Sequence, residues 1–259
     1  MLLVIDCGNT NIVFALYDED MQVACWRISS DSRRSSDEYV VWLTQLMTLK
    51  NIKVSDVDGV VIASVVPDIQ PKLVALAQRA FDQQALCVGD ADVDLGISVN
   101  IGQPEQAGAD RLVNAVAAVA HHQLPAVIVD FGTATTLDLI GPHGSYEGGI
   151  IAPGVNLSVE ALYMATARLP RIAVKPWRAD MPVLGTDTVS AMHAGVFWGY
   201  VGMVEGLLGR LRQAHGAALP AIATGGLARL FAEHIDGSLI VDADLTLKGL
   251  VRIYALNKS

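Results

Sequence analysis

A short turn near the N-terminus combines residue types that can surround a phosphate group. Asp6-Cys7-Gly8-Asn9-Thr10 lies between two apolar runs, residues 2–5 and 12–17, that are typical of buried strands. The glycine allows a tight turn and close approach of a ligand, while the Asn and Thr side chains and backbone N–H groups can bind phosphate oxygens. Asp6, at the end of a strand, could hold a metal ion beside them. An ordinary hairpin turn is the alternative, because these residue types are common in turns.

The same arrangement recurs in the second half of the chain. Asp130-Phe131-Gly132-Thr133-Ala134-Thr135-Thr136 follows the apolar run 126–129 and leads into a second run, 136–140. A repeated strand–turn–strand unit favours phosphate binding over two unrelated hairpins, and it predicts an internal duplication.

Hydrophobic periodicity and turn residues predict the remaining elements. The first half adds a strand over 21–28, a helix over 36–49, a strand over 59–63 and a helix over 67–81. The second half adds a strand over 144–151, a long helix over 188–215, a strand over 221–223 and a helix from about 245. The chain is therefore predicted to be α/β with two domains, residues 1–118 and 119–259.

Composition restricts the possible partners. The 259 residues are 52% hydrophobic and 17% charged, with a net charge of −9. An acidic chain argues against nucleic acid or an anionic membrane as partner, since such binding depends on basic residues. No apolar stretch approaches the roughly 20 residues that span a bilayer.

Cysteine usage and the N-terminus indicate the compartment. Cys7, Cys25 and Cys87 are odd in number and widely spaced, which gives neither a disulfide framework nor a metal site. The first apolar run is interrupted at once by Asp6, unlike a secretory signal. We expect a soluble cytoplasmic protein.

A second candidate for chemistry is Gly108-Ala109-Asp110-Arg111, which precedes a helical run over 112–122. An acidic residue in the first helical turn can simply complement the helix dipole, and an adjacent Asp-Arg pair can be a weak surface ion pair. Alternatively, the carboxylate could accept the proton of a substrate hydroxyl, and the arginine could bind a substrate carboxylate.

The two loops are similar to the phosphate clamp of the superfamily that contains acetate and sugar kinases, heat-shock ATPase domains and actin. That resemblance implies two duplicated ribonuclease-H-like domains, each a mixed five-stranded sheet flanked by helices, with ATP in the cleft between them. It also accounts for the lack of a Gly-x-x-x-x-Gly-Lys-[Ser/Thr] motif. Thr224-Gly225-Gly226 resembles the superfamily's adenosine-side loop, although a plain strand-to-helix turn is the alternative.

Six motifs in order resemble those of the type III pantothenate kinases, over essentially the whole chain. They are Asp6-x-Gly-Asn-Thr10, Gly108-x-Asp-Arg111, Asp130-Phe-Gly-Thr-Ala-Thr-Thr136, Gly148-Gly-x-x-x-Pro-Gly154, Thr224-Gly-Gly226 and Leu247-x-Gly-Leu250. The resemblance implies ATP-dependent phosphorylation of the primary hydroxyl of pantothenate, the first step towards coenzyme A. It also implies a homodimer.

The resemblance implies a role for each matching residue. Asp110 would be the general base. Pantothenate would contact Gly108, Ala109, Asp110, Arg111 (toward its carboxylate) and Thr188. ATP would contact Asp6, Cys7, Gly8, Asn9, Thr10, Asn11, Ile12, Val13 and Thr133. Asp130 would hold a monovalent cation, K⁺ or NH₄⁺, and Asp6 would hold Mg²⁺, directly or through water.

Two details qualify the match. Thr188 stands in Gly185-Thr186-Asp187-Thr188 at the start of the long helix, where it could also be the N-cap, and we expect both roles. Before Pro104 the family often has an aromatic residue followed by Asp-Asn. This chain has Ile101-Gly102-Gln103 there, which leaves the pocket's affinity open.

Glycines at 195, 199, 202, 206 and 209 lie on one face of the long helix. Each costs about 1 kcal/mol of helix propensity relative to alanine, which predicts close approach of another helix. The partner is either another helix of the same domain or the same helix of a second subunit. A membrane dimer does not fit, because Glu205, Arg210 and Arg212 interrupt the segment.

Other functions remain open from the sequence. The acceptor could be another small hydroxylated acid or a sugar, or the chain could be a non-catalytic regulatory relative, such as a transcription accessory factor. Intact Asp6, Asp110 and Asp130 argue against a degenerate relative, and the acidic charge argues against DNA contact.

Overall fold

The computed structural model describes residues 1–237 and 239–258. Their strands are β1 (Leu2–Cys7), β2 (Asn11–Asp18), β3 (Met21–Ser29), β4 (Gly59–Ser64), β5 (Leu86–Cys87), β6 (Ala126–Phe131), β7 (Ala134–Ile140), β8 (Tyr146–Pro153), β9 (Ala221–Thr224) and β10 (Leu239–Val241). Their α-helices are α1 (Ser36–Leu49), α2 (Gln70–Phe81), α3 (Ala109–His121), α4 (Val155–Ala165), α5 (Thr188–His215), α6 (Ala228–Phe231) and α7 (Leu245–Asn257). None of these helices is long and apolar enough to cross a bilayer.

The chain divides into two compact units. Unit 1 comprises Met1–His121 together with Asp244–Ser259, and unit 2 comprises His122–Ala243. The division along the chain therefore follows residue 121, whereas the sequence predicts a boundary after residue 118. The observed and predicted divisions also differ at the C-terminus of the chain. Helix α7 belongs to unit 1, whereas the prediction placed it in the second domain.

Close helix packing explains why α7 belongs to unit 1. Leu250 and Ile253 of α7 share a buried cluster with Val113 and Val116 of α3. Gly249 lies against the Val113 backbone so closely that a methyl group there would collide with the carbonyl oxygen and lie 2.8 Å from Cγ1. Gly249, in the Leu247-x-Gly-Leu250 motif, therefore allows α7 to approach α3 closely.

The sheet of unit 1 is mixed, with the strand order β3-β2-β1-β4-β5. β1 pairs antiparallel with β2 and parallel with β4, and β5 continues the parallel side. In this register Asp6 is opposite Val13 on one side and Ala63 on the other.

The sheet of unit 2 repeats this topology, with the order β10-β9-β6-β7-β8. β6 pairs antiparallel with β7 and parallel with β9, as β1 does with β2 and β4. Asp130 is the fifth residue of β6 and Asp6 the fifth residue of β1. The structure therefore confirms the predicted duplication and the α/β fold of two five-stranded mixed sheets flanked by helices.

Successive side chains of β1 point to opposite faces of the unit 1 sheet. Leu3, Ile5 and Cys7 pack on the side of α1 and α2, within a cluster that includes Tyr39 and Leu73. Val4 packs on the other side with α3 and α7. Asp6 has the same parity as Val4, so it belongs to the sheet face that α3 and α7 cover.

In unit 2, α5 and α6 pack on one face of the sheet. Val127, Val129 and Phe131 of β6 share a buried cluster with Phe197 of α5 and Phe231 of α6. Asp130 alternates with these residues and therefore lies on the opposite face, beside Thr136 and Thr224 in the register.

One predicted helix begins later than expected. The sequence suggested a start at Pro67, whereas α2 begins at Gln70. Pro71 has no N–H to donate to the carbonyl of residue 67, so the helical hydrogen bonds cannot extend back that far. Within the first turn the missing N–H has no consequence, and Pro71 is tolerated there.

Candidate active site

The first loop, residues 6–11, is a tight turn closed by its own backbone. The Gly8 N–H donates to the Asn11 carbonyl at 3.0 Å. Asn9, Thr10 and Asn11 are exposed at the tip. A ligand can therefore reach their polar side chains and backbone.

Two of the residues predicted to contact ATP have side chains in the core. Cys7 and Ile12 are buried, and burial raises the pKa of the Cys7 thiol. Their side chains face the apolar layer with Leu3 and Ile5. These positions can meet a ligand only through the backbone, and Val13 is partly buried against the opposite cluster.

The residues 108–111 come together in the first turn of α3. Asp110 accepts a hydrogen bond from the Arg111 backbone N–H at 2.8 Å. A methyl group on Gly108 would lie 2.7 Å from the Asp110 carboxylate, so a larger residue there would displace it. Asp110 and Arg111 are both half-buried, which leaves them accessible to a small substrate.

The helix that carries Asp110 is fixed to α7 beside this turn. Buried Asn114 accepts a hydrogen bond from the Thr246 hydroxyl at 2.7 Å, next to the close contact between Gly249 and Val113. Since α3 covers the sheet face that carries Asp6, both carboxylates belong to the same side of unit 1.

The second loop, residues 130–136, is enclosed by glycines from two other strand ends. A methyl group on Gly154 would collide with the Thr133 carbonyl and lie 2.7 Å from that of Gly132. A methyl group on Gly225 would collide with the Asp130 carboxylate and lie 2.8 Å from the Phe131 backbone. Gly225 also has a φ of +90°, which favours glycine.

A buried hydrogen bond joins the second loop to α5. The Thr135 and Tyr200 hydroxyls are 2.6 Å apart. Burial raises the pKa of Tyr200 to about 12, so its hydroxyl stays protonated and can donate to Thr135. Thr133, at the tip of the loop, is exposed.

Thr188 is the first residue of α5, but it is not the cap. The prediction that Thr188 caps the helix is wrong, because Asp187 accepts the backbone N–H groups of Val189 and Ser190 at 2.9 and 3.0 Å. The bonds from Ser190 lower the pKa of Asp187. Aspartate caps well because its carboxylate also complements the helix dipole. The Thr188 side chain is exposed.

The glycine face of α5 (Gly195, Gly199, Gly202, Gly206 and Gly209) is exposed. Within the described chain, no atom outside the adjacent helix backbone lies within 4 Å of a methyl group built on any of these five residues. The first alternative, packing against another helix of the same domain, is therefore excluded for the residues described.

No group of three or more His, Cys, Asp or Glu side chains within 1–237 and 239–258 could hold a metal ion unaided. Asp6 and Asp130 can each supply one carboxylate. That donor set fits ions that complete their coordination with water and ligand oxygens, as Mg²⁺ usually does.

Two units of identical topology, each with an Asp-x-Gly loop after its first strand, define the duplicated ribonuclease-H-like fold. Solved structures share this fold. A protein described as a Baf family transcriptional activator from Campylobacter jejuni superposes with a TM-score of 0.62 at 20% identity, over 98% of both chains. One described as a 2-dehydro-3-deoxygalactonokinase from Sinorhizobium meliloti superposes with a TM-score of 0.57 at 13% identity, over 100% of this chain and 98% of the other.

Sequence relatives are far more similar. The family model of type III pantothenate kinase matches residues 2–210. The type III pantothenate kinase of Paramagnetospirillum magneticum is 51% identical over 100% of this chain and 98% of its own length. That of Rhodospirillum rubrum is 50% identical over 100% of this chain and 99% of its own length. The chain belongs to the type III pantothenate kinase family.

The neighbouring glycines Gly225 and Gly226 provide a matched test of the second loop. Gly225→Ala should lower the free energy of unfolding by about 1–3 kcal/mol, because the added methyl group meets the Asp130 carboxylate and the Phe131 backbone. Gly226→Ala should change it little, since a methyl group there meets no atom of the described chain within 4 Å. Urea denaturation measures both, and equal effects would contradict the close contact.

Proposed function

We propose that this chain transfers the terminal phosphate of ATP to the primary hydroxyl of pantothenate. The product is 4′-phosphopantothenate, and the reaction is the first step towards coenzyme A. Membership of the family supports the reaction. The observation in the structure that carries it is Asp110, half-buried in the first turn of α3, on the same side of the unit 1 sheet as Asp6.

Asp110 is the general base in this proposal. Phosphoryl transfer to an alcohol needs a carboxylate that accepts the hydroxyl proton as the bond to phosphorus forms. The hydrogen bond from the Arg111 N–H orients the Asp110 carboxylate at the start of α3. Close contacts between α3 and α7 hold that helix end in place.

The substrate carboxylate is bound by Arg111. A guanidinium can donate two parallel hydrogen bonds to a carboxylate, which orients it as well as binding it. Gly108 and Ala109 line the same turn, and Thr188 contributes a hydroxyl from the start of α5.

The two loops bind the phosphates of ATP. The first loop offers Asn9, Thr10 and Asn11 with the backbone of residues 6–13, and the second offers Thr133. Asp6 holds Mg²⁺, directly or through a water molecule. This fits a single carboxylate at a strand end, because Mg²⁺ is usually held by one or two carboxylates with substrate phosphates.

Asp130 holds a monovalent cation, K⁺ or NH₄⁺. Its carboxylate lies against Gly225 and beside the second loop, a position suited to an ion that neutralises phosphate charge. The protein acts in the cytoplasm, where its free cysteines stay reduced. The net charge of −9 argues against nucleic acid as a partner, and it means that anionic substrates must be held by locally placed donors and cations.

The protein is a homodimer, and the glycine face of α5 is its interface. Five exposed glycines cost about 5 kcal/mol of helix propensity in total, which close packing by a second copy would offset. An apolar groove of about 520 Å³, lined by residues that include Leu162, Met192 and Gly199, lies beside this face. Leu162 of α4, which lines this groove, is itself exposed.

The general base is tested by Asp110→Asn. Turnover with ATP and pantothenate should fall by about 10²–10⁴-fold, because the amide cannot accept the proton. ATP binding, measured by calorimetry, should persist. Asp92→Asn, at an exposed loop position, is the control and should keep full activity. Near-normal turnover of Asp110→Asn would show that Asp110 is not the general base.

The monovalent cation is tested by replacing K⁺ with Na⁺ in the same assay. Activity should be lost in Na⁺ and restored by K⁺ or NH₄⁺, and Asp130→Asn should have little activity in any of the three salts. Equal rates in Na⁺ and K⁺ would refute the cation role of Asp130.

The dimer interface is tested by Gly202→Leu. The larger side chain should hold two α5 backbones apart, and the protein should become monomeric at micromolar concentration in sedimentation experiments. Ala217→Leu, exposed beyond the end of α5, should leave the dimer intact. A Gly202→Leu protein that stays folded and dimeric would exclude this face as the interface.

A further inference from the structure

The segment that joins β3 to α1, residues 30–35, lies against the first loop. Ser30 makes two hydrogen bonds to it: its backbone N–H donates to the Thr10 carbonyl at 3.0 Å, and its hydroxyl donates to the Gly8 carbonyl at 2.6 Å. One residue thus binds two carbonyl oxygens of the loop, and the Asn11 carbonyl accepts the Gly8 N–H.

These bonds matter for anion binding. A carbonyl oxygen beside a phosphate is repulsive, whereas backbone N–H groups attract it. A loop that binds phosphate without a lysine must therefore keep its carbonyl oxygens engaged elsewhere. Ser30 does so for Gly8 and Thr10.

The segment is also anchored beyond Ser30. The Lys72 ammonium donates to the Ser32 carbonyl. Ser35 caps α1: its hydroxyl accepts the Glu38 N–H at 3.3 Å, and the Glu38 carboxylate accepts the Ser35 N–H at 2.7 Å. With both ends fixed, the segment presents a defined surface beside the first loop.

Arg34 is one of two arginines in that segment. Its guanidinium Nη1 lies 3.5 Å from the carbonyl oxygen of Ser29, and Ser29 pairs in register with Asn11 of the first loop. Its Cζ lies 5.5 Å from the centre of the Tyr39 ring. Among the described residues, Arg34 makes no ion pair with a carboxylate within 4.0 Å.

The neighbouring Arg33 differs from Arg34 in its exposure and its ion pairing. Arg33 is 90% exposed and binds Asp31 through two hydrogen bonds of 3.1 Å. Its charge is already compensated by a carboxylate. The pair therefore offers an internal comparison, at adjacent positions, between Arg33, which is hydrogen-bonded to a carboxylate, and Arg34, which only feels the charges of Asp31 and Glu38 from beyond ion-pair distance.

We propose that the segment Ser30–Arg34 is a further part of the phosphate-binding site of unit 1. Ser30 is a positioning residue that holds the loop carbonyls, and Arg34 binds phosphate oxygens of the nucleotide. The inference rests on the proposed function only in that the first loop binds a nucleoside triphosphate. Arginine suits this role because its fork of donors matches phosphate oxygens.

Arg34 is tested by calorimetric titration of the full-length Arg34→Gln and Arg33→Gln proteins. Loss of a charge-assisted hydrogen bond should weaken ATP binding by about 10–100-fold in Arg34→Gln. Arg33→Gln should stay within about twofold of the unaltered protein, as expected for an exposed ion pair. Adenosine, which has no phosphate, should bind all three proteins equally.

Ser30 is tested by Ser30→Ala and by Ser30→Thr, which keeps the hydroxyl. Loss of one neutral hydrogen bond should raise the KM for ATP by about 2–10-fold in Ser30→Ala. The KM for pantothenate should not change, and Ser30→Thr should restore the KM for ATP. A merely structural role would lower thermal stability without this selective change.

Each other outcome is decisive. Equal ATP affinity in Arg34→Gln and Arg33→Gln, or a loss that adenosine shares, would exclude phosphate binding by Arg34. If Arg34→Gln lowers stability but leaves nucleotide binding unchanged, the role of Arg34 is limited to packing on the Tyr39 ring. An unaltered protein that binds no ATP would overturn the inference and the proposed function together. One that binds ATP without phosphorylating pantothenate would overturn the proposed function alone.

Discussion

Charge repulsion is the constraint on which this structure depends. A triphosphate is strongly anionic, yet the chain carries a net charge of −9 and begins each of its two loops with an aspartate. Neither loop contains a lysine. Binding must therefore come from backbone N–H groups, small polar side chains, bound cations and locally placed arginine. In the proposed roles, Asp6 and Asp130 hold cations and Arg34 supplies a guanidinium, so each residue brings positive charge to the phosphates.

Backbone contacts shape the loops. Asp6 and Asp130 occupy the fifth position of equivalent strands, so the same topology delivers both carboxylates to a strand end. In unit 2 the loop is enclosed by Gly154 and Gly225, where any side chain would meet loop atoms. In unit 1 the first loop is held instead by Ser30, which donates hydrogen bonds to the Gly8 and Thr10 carbonyls. Both loops are therefore fixed by residues distant in the sequence.

Elements with strong local patterns could be predicted from the sequence. α1 and α5 begin and end where predicted, and the strands on either side of both loops were found because apolar runs and turn residues coincide. α4 was missed, since Leu157, Leu162 and Met164 on its exposed side obscure its amphipathic pattern. The return of α7 to unit 1 and the hydrogen bonds of Ser30 depend on contacts across the chain, which periodicity does not reveal. Asp187 immediately precedes Thr188, and its residue type is favoured at helix N-caps, a signal that the prediction of Thr188 as the cap overlooked.

The most direct test of the central claim is the identity of the product. The purified protein is incubated with ATP, Mg²⁺ and K⁺, with and without pantothenate, and the mixture is analysed by mass spectrometry. We expect 4′-phosphopantothenate and an equal amount of ADP, and only when pantothenate is present. Bound ATP with no phosphorylated pantothenate would contradict the account.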